Sequence, residues 1–142
     1  MLKNIFLTED DDDDREVFKI ALHDIDETIK FEFATNGKET IERLKDCNTL
    51  PDIIFLDLNM PIMNGFECLS ALKNDSRLVT LPVVIFTTSS NPLDVQATHQ
   101  LGANVFLIKP VSIAELTKKL QRILQINFNA GTDWSSLAQY SV

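Results

Sequence analysis

Hydrophobic positions gather in five short runs along the chain: LKNIFL at 2–7, IKFEFA at 29–34, DIIFLD at 52–57, PVVIFT at 82–87 and NVFLI at 104–108. Each has the length of a β-strand. Three are apolar nearly throughout, as strands buried on both faces of a parallel sheet are, whereas IKFEFA alternates in the manner of an edge strand. Between the runs the apolar spacing changes to three and four. Val17, Phe18, Ala21, Leu22 and Ile25 form one such stripe, and Ile113, Leu116, Leu120, Ile123 and Leu124 form another, which is the pattern of amphipathic helices. Helix starts are marked by Asn36-Gly37, by Asn64-Gly65 and by Ser112 with Glu115 three positions on, a capping arrangement. The resulting order is (βα)5. Right-handed crossovers then place helices on both faces of a parallel sheet, and the natural closure is an α/β flavodoxin-like three-layer sandwich with strand order 2-1-3-4-5. One domain is expected over 1–126. Residues 127–142, NFNAGTDWSSLAQYSV, are too short for an output domain and read as a tail or a short added element.

In such a sheet, ligands sit beyond the carboxyl ends of the strands, at the point where strand order reverses. The residues at those ends are Glu9 and Asp10, Asp57, Thr87 and Lys109. Three carboxylates, a hydroxyl and one ammonium therefore converge on one crevice. Two carboxylates about 4 Å apart repel by roughly 1 to 4 kcal/mol at effective dielectrics of 80 to 20, so the group calls for a cation. Hard oxygen donors without Cys or His suit Mg²⁺ and argue against zinc. A metal and Lys109 would make an anion welcome, with Thr87 donating a hydrogen bond and Asp57 able to attack phosphorus.

Glu9 opens a run of acids, TEDDDDDREVF at 8–18. If the first strand ends near Leu7 or Thr8, only Glu9 and Asp10 face the crevice. Asp11, Asp12 and Asp13 then read as solvated charge, and Asp13 or Asp14 as the cap and first turn of the following helix.

Composition narrows the function. The 142 residues carry 13 Lys and Arg against 21 Asp and Glu, a net charge of −8, which repels polyanions and argues against direct nucleic-acid binding. Hydrophobic residues at 44% are enough for one core. The first residues lack a signal-peptide pattern, and no apolar stretch approaches the roughly 18 residues of a membrane span. A cytoplasmic location is expected. Cys47 and Cys68 lack metal or redox spacing and read as reduced packing residues. His23 and His99 fall in helical segments and read as unexceptional.

IFLTEDD, DLNMPIMNGFE at 57–67, VVIFTTSS at 83–90 and the Lys109-Pro110 pair, in this order and spacing, resemble a response-regulator receiver domain of the CheY-like family, in its stand-alone single-domain form. The resemblance implies a phosphoacceptor at Asp57 and an Mg²⁺ site of Glu9, Asp10, Asp57 and the main-chain carbonyl of Asn59. It also implies phosphoryl contacts from Thr87 and Lys109, a Thr87–Phe106 switch in which Phe106 turns inward, and a cis Lys109-Pro110 bond. Residues 59 and 89 would govern access of hydrolytic water. The implied function is that of a phosphorelay response regulator, phosphorylated by a histidine kinase or histidine phosphotransfer protein and signalling to a protein target through the face made by the fourth helix, the fifth strand and the fifth helix. Two alternatives stay open at this point: a receiver-like interaction module that works without phosphorylation, and a phosphatase with an aspartate nucleophile. The second lacks an acid two positions after Asp57, where Asn59 stands. A flavodoxin-type cofactor binder is opposed by the five aspartates of the first loop.

Overall fold

The computed structural model describes residues 1–128 and 140–142. Strands β1 (Asn4–Thr8), β2 (Lys30–Ala34), β3 (Ile53–Leu56), β4 (Val83–Thr87) and β5 (Val105–Ile108) alternate with helices α1 (Asp12–Ile25), α2 (Gly37–Asp46), α3 (Gly65–Lys73), α4 (Pro92–Gln100) and α5 (Ile113–Leu124). All paired strands are parallel, in the order β2-β1-β3-β4-β5, as the alternation of runs and stripes predicts.

The pleat sorts side chains into two layers, because successive residues of a strand point to opposite faces. Ile5, Leu7, Ile53, Phe55, Val84, Phe86, Val105 and Leu107 pack with Phe18, Ala21 and Leu22 of α1 and with Leu116, Leu120, Ile123 and Leu124 of α5. Phe18 anchors this layer, its ring meeting Phe55 edge-on at 4.9 Å and Phe86 at 5.3 Å. Phe6, Ile54, Leu56, Val83, Ile85 and Phe106 face the other way, against Leu44 of α2 and Cys68, Leu69 and Leu72 of α3. The expected stripes are buried at Phe18, Ala21, Leu22, Leu116, Leu120, Ile123 and Leu124 and partly buried at Val17 and Ile25, whereas Ile113, in the first turn of α5, stays exposed. Asn36, Asn64 and Ser112 cap their helices as expected, Asn64 in a reciprocal capping box with Glu67. Both cysteines are free thiols, and burial pushes the Cys68 thiol up to about 12.

The end of the chain departs from a plain tail. Tyr140 is fully buried: its hydroxyl lies 2.6 Å from Thr98 Oγ1 of α4, and its ring centroid lies 4.7 Å from His99 and 6.2 Å from Phe106. Ser141 forms a parallel bridge with Phe106, and the Val142 N–H donates to the Phe106 carbonyl at 2.9 Å. The tail thus pairs with β5 along the edge that β4 leaves open. Residues 129–139 lie outside the described residues.

Candidate functional site

Strand ends place the site. Glu9 and Asp10 follow β1, Asp57 follows β3, Thr87 closes β4 and Lys109 follows β5. The β-ladder continues one residue past the strands: Glu9 N–H donates to Ala34 O at 3.0 Å, Asp57 N–H to Thr8 O at 3.0 Å and Lys109 N–H to Thr87 O at 2.7 Å. Direction follows from the two-residue period. Glu9, Asp57 and Lys109 continue the odd-numbered rows of their strands, the rows that face α1 and α5. Thr87 continues the Val83–Ile85 row, which faces the other layer. The acids and the lysine therefore meet beside the start of α1.

Asp57 is nearly buried, with 5% of its surface exposed. Its Oδ1 accepts the Leu58 N–H at 2.8 Å, and its Oδ2 lies 3.6 Å from Lys109 Nζ. The turn after it depends on Gly65, whose N–H donates to the Leu58 carbonyl at 3.0 Å. A Cβ at that position would overlap the Asp57 carbonyl and come within 2.7 Å of Leu58 Cα. Only glycine lets α3 begin so close to the Asp57 backbone.

Carboxylates surround Lys109. Its Nζ donates to Glu9 Oε1 at 2.5 Å and to Asp14 Oδ2 at 2.7 Å. Burial by itself lowers the lysine pKa, but the bonds to Asp14 and Glu9 and the charge of Asp57 outweigh it and hold the group above its ordinary value. Glu9 is fully buried, and burial, then its bond to Asp57, raises its carboxyl to about 8 in spite of Lys109. The crevice thus holds more negative charge than one lysine balances. Oxygens of Glu9, Asp10 and Asp57 lie within 4.8 Å of one another, with Asp10 exposed at the rim. Beside it opens a cleft of about 440 Å³ lined by Asp10, Asn59, Met60, Asn64 and Phe66.

The remaining expected residues sit around this centre. Thr87 is buried, and its Oγ1 accepts the Ser89 N–H at 3.2 Å, while Ser89 Oγ donates to Asp94 Oδ2 at 2.6 Å. Phe106 is fully buried, its ring centroid 6.2 Å from that of Tyr140. One expectation is corrected: Lys109-Pro110 is trans, since no peptide bond among the described residues is cis. The Lys109 N–H bond to Thr87 places the lysine through the ladder whatever the isomer.

The acidic run also divides differently from its sequence reading. Asp11, not Asp13 or Asp14, is the N-cap of α1, accepting the Asp14 N–H at 2.8 Å. Asp12 pairs with Arg15, whose other nitrogen donates to the Glu9 carbonyl at 2.9 Å. Asp14 reaches Lys109. A signal for this was present: Asp14 stands four residues before Phe18, on the face of α1 that turns to the sheet. For Tyr140 no comparable signal exists, as it lies in a polar stretch with neither period.

Comparison with known proteins agrees with this geometry. The family model described as the response regulator receiver domain matches residues 5–121. The chain belongs to this family. Among curated relatives, the probable methanogenesis regulatory protein FilR2 of Methanothrix harundinacea is 31% identical over 123 residues, 84% of this chain and 79% of that protein. Among solved structures, the phosphorylated cyanobacterial phytochrome response regulator RcpA superposes with a TM-score of 0.82 at 28% identity, covering 93% of this chain and 98% of the other. The Mn²⁺-bound form of response regulator Rcp1 gives 0.76 at 31% identity, with 92% and 97% covered.

Receiver domains hold Mg²⁺ or Mn²⁺ in an acidic pocket, and the residues of this receiver fit such an ion. All three side-chain donors are hard carboxylate oxygens, the donor type a small divalent cation takes. Glu9, buried and raised to about 8, needs a proton or a cation to balance it. No helix among the described residues is long and apolar enough to cross a membrane.

Proposed function

We propose that this receiver domain belongs to a response regulator in which Asp57 accepts a phosphoryl group from the phosphohistidine of a histidine kinase or phosphotransfer protein. One observation carries the reading: a nearly buried carboxylate has an ammonium 3.6 Å away and two further carboxylates within 4.8 Å. An Asp57 oxygen forms the bond to phosphorus as the bond from phosphorus to the donor imidazole nitrogen breaks, the electron pair leaving with the imidazole. Glu9, Asp10, Asp57 and the main-chain carbonyl of Asn59 are the residues to hold Mg²⁺, which when bound neutralises charge on the phosphoryl oxygens. Lys109 and Thr87 supply a cation and a hydroxyl to those oxygens, so positioning and charge stabilisation do most of the work. Asn59, an amide, cannot move a proton for hydrolysis, and the acyl phosphate is expected to persist rather than turn over rapidly. Signalling then passes through the face made by α4, β5 and α5 to a protein target, with Thr87 and Phe106 as the linked pair. Tyr140 shares that face, and a phosphorylation-driven change there must move or repack it.

The test is incubation with acetyl phosphate and Mg²⁺, followed by mass spectrometry under conditions that preserve acyl phosphates. Wild-type protein should gain one phosphoryl group and Asp57→Asn none. A wild type that gains nothing, yet still binds a partner at the α4-β5-α5 face, would support the phosphorylation-independent module instead. Continuous phosphate release from many esters would support a phosphatase.

A further inference from the structure

Lys109 has three acidic neighbours, and the receiver mechanism uses only two of them. Glu9 at 2.5 Å and Asp57 at 3.6 Å belong to the metal and phosphoryl site. Asp14, at 2.7 Å, belongs to the first turn of α1. Its carboxylate is not required there, because Asp11 already caps the helix and accepts the Asp14 N–H. Nor is it neutralised by its neighbour Arg15, which is spent on Asp12 and the Glu9 carbonyl. The Asp14 side chain is 41% exposed while that of Lys109 is 11% exposed, so the aspartate reaches inward from the surface to the lysine.

We propose that Asp14 is a positioning residue that holds the Lys109 ammonium back from Asp57 and competes with a phosphoryl group there for the same cation. The proposal rests on the reading of Asp57 as phosphoacceptor. Glu9 is released from Lys109 if it turns to a metal, but Asp14 faces the lysine from outside the metal cluster and keeps its hold. A phosphoryl oxygen on Asp57 then recruits Lys109 only by displacing or sharing Asp14. The length of Lys109's stay on the phosphoryl group, and so the strength with which the phosphorylated state is held, is set in part by this one carboxylate.

The experiment compares wild type, Asp14→Asn, Asp14→Glu and Asp13→Asn. Asp13→Asn removes the same charge one position away, from an exposed residue of the same helical turn. Beryllofluoride, a phosphoryl mimic, is titrated at saturating Mg²⁺ and followed by amide NMR, with Mg²⁺ alone titrated in parallel. Asp14→Asn should bind beryllofluoride about three- to fivefold more tightly, the size expected of a half-exposed ion pair, while binding Mg²⁺ alone no more tightly. Asp14→Glu should return toward wild type and Asp13→Asn should match it. Equal or weaker beryllofluoride binding by Asp14→Asn, or an equal gain in Asp13→Asn, overturns the proposal and leaves the phosphoacceptor reading standing. A wild type that binds no beryllofluoride overturns both.

Discussion

Strand β5 has two neighbourhoods of opposite character. At its middle, Phe106 is sealed by Tyr140, the tyrosine hydroxyl is bonded to Thr98, and the Phe106 carbonyl receives the Val142 N–H. One residue past its end, Lys109 stands among Glu9, Asp14 and Asp57, too few positive charges for the acids around it. The first region is satisfied by the chain itself and contributes stability. The second holds excess acid that a proton or a cation can balance, and a site of that kind is where a receiver does its chemistry. Both lie within a few residues of each other, so the difference comes from what the other elements bring to β5 and not from β5.

The sharpest way to break the contrast is to remove a ligand from the unbalanced side. Asp10→Ala should lower Mg²⁺-dependent phosphorylation by acetyl phosphate by more than the roughly 10- to 100-fold loss typical of outer-shell partners of a metal site. Asp12→Ala should leave it nearly unchanged, because that side chain pairs with Arg15 outside the crevice. Equal losses in the two, measured across Mg²⁺ concentrations, would mean that total charge matters and placement does not.

On the satisfied side, Tyr140→Ala should cost about 3 to 5 kcal/mol in urea denaturation, the range for deleting a fully buried aromatic side chain. Its Mg²⁺ affinity should stay near that of wild type. A loss below about 1 kcal/mol, the scale of an ordinary surface substitution, would show that the tail adds nothing to the core.

A smaller effect should appear with pH. The Glu9 carboxyl is raised from an ordinary 4.5 to about 8, so the folded state binds its proton more tightly than the unfolded state does. That stabilisation is complete below about pH 4.5 and is lost as pH rises through about 8. Metal-free protein should therefore lose melting temperature across this window, and Glu9→Gln should flatten the dependence. Saturating Mg²⁺ should oppose the loss, with Mg²⁺ affinity rising up to about pH 8 as the competing proton leaves. A metal-free stability curve flat over this window in wild type would contradict the assignment of that proton to Glu9.

Much of this was legible in the sequence, for local reasons. The strands and the stripes of α1 and α5 could be read because a parallel sheet covered on both faces demands continuous apolar runs, and helices packed on it demand a three-and-four spacing. Glu9, Asp10, Asp57, Thr87 and Lys109 could be read because strand ends in this topology share one edge. The edge position of β2 followed from its alternation, although Phe33 remains partly exposed there. The cap role of Asp11 was not legible, since five identical residues carry no mark of which one a helix start will take, and the spacing of Asp14 to Phe18 marked its face of α1 but not its partner.

By itself, then, the sequence determined the order and type of the elements and the set of residues at the carboxyl edge, because those depend on periodicity and chain order. Tertiary structure alone decided that Asp14 turns to Lys109, that Glu9 is buried deeply enough to hold its proton to about pH 8, and that Tyr140 returns to cover Phe106. Each of these depends on what a distant segment places within a few ångströms, and neither composition nor period records that distance.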